Sequence, residues 1–229
     1  MATIYFITGT DTGVGKTVLT ALLVRHLRDG GVRALAVKPL CSGGRGDATV
    51  LRKAQNNEHS LDAINPWHFR AALAPLLAAR RERRVVKRAE ILSFIRANSD
   101  RCDVLLVEGA GGLLSPLGEG FDARDLIVEL RARPIVVCPN RLGAVNQVRL
   151  VIEALPKMVA ASARVVLMET SRPNQATRTN AELLSEFLTR NQLHSIPHFN
   201  WPAIMKRPCL PAGVRRTLDQ LAVRTGSRD

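Results

Sequence analysis

The sequence predicts an α/β protein in which a doubly wound, mainly parallel sheet carries helices on both faces, with residues 1–229 forming a single domain. Three observations carry that reading. Short, continuous apolar runs of strand length recur along the chain, as buried parallel strands require. Segments with helical spacing separate them, and this alternation is the mark of α/β architecture. Several of the apolar runs end in glycine-rich turns holding polar residues, where sheets of this kind place ligand contacts.

The first run, Thr3 to Thr8, breaks into Gly9-Thr10-Asp11-Thr12-Gly13-Val14-Gly15-Lys16-Thr17 and is followed by an amphipathic helix over Val18 to Leu27. Strand, glycine-rich loop and helix start describe a phosphate-binding P-loop. Backbone N–H groups converge on an anion, the helix contributes its positive end, Lys16 supplies a point charge and the Thr17 hydroxyl suits Mg²⁺. The loop is a variant, because Thr10 stands where the common pattern has its first glycine and Gly9 lies one residue earlier.

Asp29-Gly30-Gly31 stops that helix, and Val32 to Val37 reads as a second strand ending in Lys38-Pro39-Leu40-Cys41-Ser42-Gly43-Gly44. Asp47 opens a helical segment reaching Asn56, where an N-cap is its ordinary role. The pattern weakens from Asn57 to Phe69, with Asn65-Pro66 marking a turn, and Ala71 to Arg80 and Ala89 to Asn98 read as helices. Next, Asp103 to Val107 is a buried strand running into Glu108-Gly109-Ala110-Gly111-Gly112. A carboxylate at that position needs a cation or a paired charge, and Mg²⁺ beside a nucleotide is the natural partner.

Leu126 to Leu130 is predicted helical, Pro134 to Cys138 a strand, and the loop from Pro139 to Asn146 leads into a helix ending near Leu155. Arg164 to Met168 is a strand, Ala176 to Arg190 a helix, and His194 to Ile196 a last short strand. Pro211 to Val223 reads as a final helix and Arg224 to Asp229 as a frayed end.

Composition narrows the function classes. The four cysteines are scattered and form neither a CxxC pair nor a Cys/His cluster, so reduced thiols in a cytoplasmic protein are expected. No stretch reaches the length of a membrane span. The net charge is +13, and its densest run, Arg80 to Arg88, has no interleaved aromatics and reads as a solvated turn rather than a nucleic-acid patch.

With these pieces in order, the chain resembles the dethiobiotin synthetases. The resemblance rests on Tyr5 to Thr17 with its Thr-Gly-Thr-Asp-Thr opening, Val37-Lys38-Pro39 with Ser42-Gly43, and Val107 to Gly112 with Ser115-Pro116-Leu117. Asn65-Pro66-Trp67 and Leu142-Gly143 with Asn146 echo it more weakly. It implies a homodimeric, ATP-dependent ligase that closes the ureido ring of dethiobiotin from 7,8-diaminopelargonate and CO₂. The route runs through a carbamate and a mixed carbamic–phosphoric anhydride, with Mg²⁺ as cofactor and neither nucleic acid nor membrane as partner.

Carried over by that resemblance, Gly13, Val14, Gly15, Lys16 and Thr17 hold the phosphates, and Thr17, Asp47 and Glu108 gather Mg²⁺. Lys16 and Lys38 act on the transferring group. Thr12 and Ser42 meet substrate, as do Gly143 and Asn146 across the dimer interface. Gly109 and Gly111 line the nucleotide site, and Pro197, His198 and Phe199 form the base-contacting loop. The second half departs from the family, since Glu169-Thr170 replace the usual Asn-Asp that reads adenine. A Glu only accepts hydrogen bonds, so looser nucleotide choice is expected. A regulatory or partitioning ATPase of the same architecture, or a paralogue with altered nucleotide or substrate, is the alternative. Asp11 argues against the former, because such ATPases carry a lysine there.

Overall fold

The computed structural model describes residues 2–222. Strand β1 (Thr3–Gly9) feeds helix α1 (Lys16–Asp29), and β2 (Ala34–Val37) is followed by β3 (Leu40–Ser42), α2 (Gly46–Ala54), α3 (Leu61–Ile64) and β4 (Trp67–Phe69). Helices α4 (Pro75–Arg81) and α5 (Arg88–Ser99) lead to β5 (Val104–Glu108), α6 (Ala123–Glu129) and β6 (Arg133–Pro139). The chain continues through α7 (Ala144–Ala154), α8 (Lys157–Ser162), β7 (Arg164–Met168), α9 (Gln175–Ser185), β8 (Leu193–Ile196), α10 (Trp201–Met205) and α11 (Ala212–Leu221).

Six strands form one parallel sheet in the order β2-β5-β1-β6-β7-β8. The expected fold class is therefore the observed one. Alternation within β1 shows why both faces are covered: Tyr5 and Ile7 join the core under α1, α2 and α11, whereas Phe6 points into the core under α5 and α6. From β1 the chain passes first to β2 at one edge, returns to lay β5 between β2 and β1, and then crosses β1 to add β6, β7 and β8 on the other side. The carboxyl end of β1 is thus the topological switch point, where such sheets open a ligand crevice.

The edge of β2 is closed by a side chain. Fully buried Gln55 accepts from the Ala36 N–H (2.9 Å) and donates to the Ala36 carbonyl (3.0 Å), imitating another strand.

Several boundaries differ from the sequence expectations. A small parallel sheet of β3 and β4 lies in the weakly patterned region, pairing Leu40 with Trp67 and Ser42 with Phe69. Three-residue strands carry too little periodicity to be read in advance. The short α3, α8 and α10 escaped for the same reason. Helix α4 begins at Pro75 rather than Ala71, because proline favours the first helical turn. Helix α9 ends at Ser185, before Arg190. The Pro211 to Val223 helix is found as α11, while Val223 and the expected frayed end, Arg224 to Asp229, lie outside the described residues.

The Arg80 to Arg88 run links α4 to α5 and is largely answered by its own surroundings. Arg80 donates twice to Glu119 (both 2.8 Å), Arg88 pairs with Glu129 (3.1 Å), and the Arg84 guanidinium lies 4.8 Å from the Phe69 ring centroid.

Candidate active site

Five strand ends converge on the switch point, and their order along the sheet fixes the order of the chemistry. At the carboxyl end of β1, Gly13 and Gly15 take left-handed backbone angles (φ 73° and 104°) that curl the loop over the start of α1. Gly15 is also closely approached by the Met168 side chain, 3.2 Å from where a Cβ would lie. Val14 is buried beneath the loop, and Thr12 and Gly13 are exposed above it. The Lys16 ammonium folds back to donate to the Asp11 carbonyl (2.8 Å). Burial, reinforced by the neighbouring Lys38 charge, lowers its pKa to about 8.

Next to it, Lys38 beyond β2 meets Glu108 at the end of β5. Both are buried, at 4% and 1% exposure, and Lys38 Nζ donates to Glu108 Oε1 at 2.6 Å and to the Gly109 carbonyl at 3.3 Å. The same Oε1 accepts from the Thr17 hydroxyl (2.7 Å), so one carboxylate oxygen joins the loop to β2 and β5. Asp47 lies 3.1 Å from Lys38 Nζ. Burial opposes charge on Lys38, but Glu108 and Asp47 overcome it and hold its pKa above the ordinary lysine value.

Asp47 thereby departs from the N-cap role. Arg45 is the N-cap of α2 and Asp47 sits inside its first turn, where its carboxylate faces Lys38 instead of backbone N–H groups. The main chain of Lys38 is fixed independently: its N–H donates to the Ile64 carbonyl (3.0 Å) and its carbonyl accepts from the buried Asn65 amide (2.8 Å). Asn65, read from the sequence as a turn marker within a weak family echo, is in effect a positioning residue for Lys38.

The donor set suits a hard divalent cation. Glu108 Oε2 is buried without a hydrogen-bond partner, while its Oε1 accepts from the Thr17 hydroxyl and from Lys38, which Asp47 also pairs. Among the described residues no three His, Cys, Asp or Glu side chains form a metal cluster. The buried, unpartnered Glu108 oxygen and the neighbouring Thr17 hydroxyl are hard oxygen donors of the kind Mg²⁺ takes alongside water and substrate phosphates.

Around this centre, Ser42 at the end of β3 has a buried, unpartnered hydroxyl. Gly111 takes φ 72° and lies against Ser115, whose hydroxyl accepts from the Gly112 N–H (2.9 Å). The Cys41 thiol beside the site is pushed up to about 11 by burial, which leaves it protonated and inert near neutral pH.

Two groups of expected site residues stand apart from this cluster. Gly143 is the left-handed N-cap of α7 (φ 88°), and with exposed Asn146 it faces outward beside Leu142, which is 84% exposed. Pro197 and His198 are exposed beyond β8, and Phe199 packs against the core beneath α1.

Sequence reading missed a polar network at the ends of β6 and β7. Buried Asn140 donates to Glu169 Oε2 (2.8 Å) and to the Thr177 carbonyl (2.8 Å), while its own Oδ1 accepts from Asn180 (2.8 Å). Asn140 immediately follows a buried strand at its ligand-facing end, and that position was the available signal.

An AAA domain family model matches residues 3–200. The chain is 40% identical over 197 residues to an ATP-dependent dethiobiotin synthetase BioD of Anaeromyxobacter dehalogenans, covering 84% of this chain and 88% of that protein. It is 32% identical over 186 residues to the Bacillus subtilis enzyme of the same name, covering 79% and 80%. Among solved structures, a pNOB8 ParA bound to nonspecific DNA and an Aquifex aeolicus MinC:MinD complex each superimpose with a TM-score of 0.54. Their identities are 15% and 18%, each match covers 96% of this chain, and 92% and 94% of those chains respectively are covered; at such identity the likeness concerns the fold. By sequence and by coverage, the chain belongs to the dethiobiotin synthetase family of P-loop proteins.

Proposed function

We propose that this chain is an ATP-dependent ligase that forms dethiobiotin from 7,8-diaminopelargonate and CO₂. The observation that supports the reading most is the convergence of Lys16, Thr17, Lys38 and Glu108 at one crevice in a chain 40% identical to a named synthetase. Nitrogen of one substrate amine bonds to CO₂ and loses a proton, giving a carbamate. A carbamate oxygen then attacks the γ-phosphorus of ATP, and the bond to the β-phosphate oxygen breaks to release ADP. The second amine attacks the carbonyl carbon of the mixed anhydride, phosphate departs, a proton is lost and the ring closes.

The protein's share is positioning and charge neutralisation. N–H groups of Gly13 to Thr17 cradle the phosphates, and Lys16 turns from the Asp11 carbonyl to the γ-phosphoryl group. Lys38, already charged, shifts from Glu108 toward the carbamate and the same phosphoryl oxygens. Bound Mg²⁺, held by Thr17, Glu108 and Asp47, would neutralise phosphate charge. Thr12 and Ser42 orient the diamine, and Gly109 and Gly111 allow close approach.

A homodimer completes the site in this reading. Leu142 and Leu150, exposed on one side of α7 next to Gly143 and Asn146, support a second copy seating there with its substrate carboxylate at the helix start. No helix among the described residues is long and apolar enough to cross a membrane.

The test is direct. Protein mixed with ATP, Mg²⁺, bicarbonate and 7,8-diaminopelargonate is expected to yield dethiobiotin by mass, with one phosphate per ring. ATP turnover indifferent to the diamine would overturn the reading.

A further inference from the structure

The carboxyl ends of β6, β7 and β8 hold a carboxylate that the phosphate chemistry does not use. Glu169 follows β7 directly, its N–H donates to the Ile196 carbonyl of β8 (2.9 Å), and Met168 just before it packs on Gly15 of the phosphate loop. The opposite flank of the loop is filled by Lys38, Asp47 and Glu108. A triphosphate whose γ end lies toward those groups therefore sends its nucleoside over β7 and β8, to Glu169 and the turn at Pro197 to Phe199. This step rests on the nucleotide reading proposed above.

Glu169 is held but not neutralised. Among the described residues no lysine, arginine or histidine pairs with it, and its side chain has one hydrogen-bond partner, the Asn140 amide. That amide cannot turn over. Its nitrogen serves both Glu169 and the Thr177 carbonyl, and its oxygen takes the Asn180 amide, which in turn donates to the Arg141 carbonyl (2.9 Å). The relay presents a fixed, half-buried acceptor with no donor of its own.

An acceptor pair of this kind discriminates between bases. Adenine sets a ring-nitrogen lone pair beside its amino group, so one carboxylate oxygen is met and the other repelled. Cytosine alternates in the same way, and uracil offers one N–H between two carbonyls. Guanine alone presents two adjacent donors, N1–H and the 2-amino group. We infer that Glu169, oriented by Asn140 and Asn180, makes the nucleotide site of this chain select a guanine base, so that GTP binds more tightly than ATP. This sharpens the expectation of looser nucleotide choice into a direction.

Titration calorimetry of the full chain with Mg²⁺ tests it, using GTP, ATP, ITP and inorganic tripolyphosphate as probes. A bidentate base contact predicts GTP tighter than ATP by about tenfold or more, with ITP, which lacks the 2-amino group, in between. Glu169→Gln preserves shape and exchanges an acceptor for a donor; its GTP-to-ATP ratio is expected to fall severalfold, with the unfolding midpoint confirming an intact fold. Equal affinities in the unsubstituted chain, tighter ATP, or an unaltered ratio in Glu169→Gln would each overturn the inference while leaving triphosphate binding in place. Failure of tripolyphosphate and all three nucleotides to bind would instead remove the nucleotide reading itself, and this inference with it.

Discussion

The two ends of the ligand-facing sheet edge are built from different interactions. On the side of β2 and β5 the site is ionic: a buried lysine and a buried glutamate at 2.6 Å, with a threonine hydroxyl and a second carboxylate on the same pair. On the side of β6 to β8 it is a chain of amides ending in one carboxylate. In the function proposed above, the concentrated charge would serve phosphoryl transfer and the directional donors and acceptors would read a base. Damage to the ionic end should therefore be costly in stability and turnover together, and damage to the amide end mild and selective.

The largest effect is expected at Lys38. Lys38→Met strands the Glu108 carboxylate in the interior, and breaking such a pair costs about 3–5 kcal/mol. Adding Glu108→Gln should recover most of that stability without recovering turnover. Denaturant melts and product assays on the two variants check this, and a Lys38→Met protein of undiminished stability would mean that Glu108 has another partner. Lys16→Ala, where the cation meets only a carbonyl in the free chain, should lower turnover on the order of 10²-fold with little loss of stability. Near-normal turnover would take Lys16 out of the mechanism.

Glu108→Gln alone should shift the Mg²⁺ titration of activity to higher concentration, and an unmoved titration removes Glu108 from the metal site. A fourth expectation concerns pH. The Lys16 value of about 8 lies below the ordinary 10.5, so the folded chain binds fewer protons than the unfolded chain between those values. The stability penalty for its buried charge is complete below pH 8 and disappears as pH rises toward 10.5. Triphosphate binding requires the charged form, so affinity should fall above pH 8, approaching about tenfold per unit. A flat profile from pH 7 to 9.5 would contradict it. Mildest of all, Asn140→Ala should cost about 1–3 kcal/mol by leaving the Asn180 amide short of an acceptor, while phosphate binding persists.

Legibility followed the same division. Lys16, Thr17, Lys38 and Glu108 each sit where an apolar strand breaks into a glycine-rich turn, and sequence position alone suffices to bring such residues to one sheet edge. The amide relay joins Asn140 to residues 29, 37 and 40 positions away, just beyond β7 and on α9. No local pattern encodes that meeting, which depends on how α9 packs beside β6. Asp47 lies on the expected helix but inside its first turn rather than at its cap, because an acid near a helix start reads as a cap until Lys38 is found in front of it. Trp67 to Phe69 gave no strand signal because β4 is three residues long and, among the described residues, pairs with β3 alone.

The account turns on the phosphate end, and a crystal structure with Mg²⁺ and a non-hydrolysable triphosphate examines it most directly. The terminal phosphate should lie at the front of α1, with the Lys16 and Lys38 ammonium groups both within hydrogen-bond distance of its oxygens and Glu108 on the metal side. A triphosphate bound elsewhere, or Lys38 still locked to Glu108 with the phosphate out of its reach, would contradict the account.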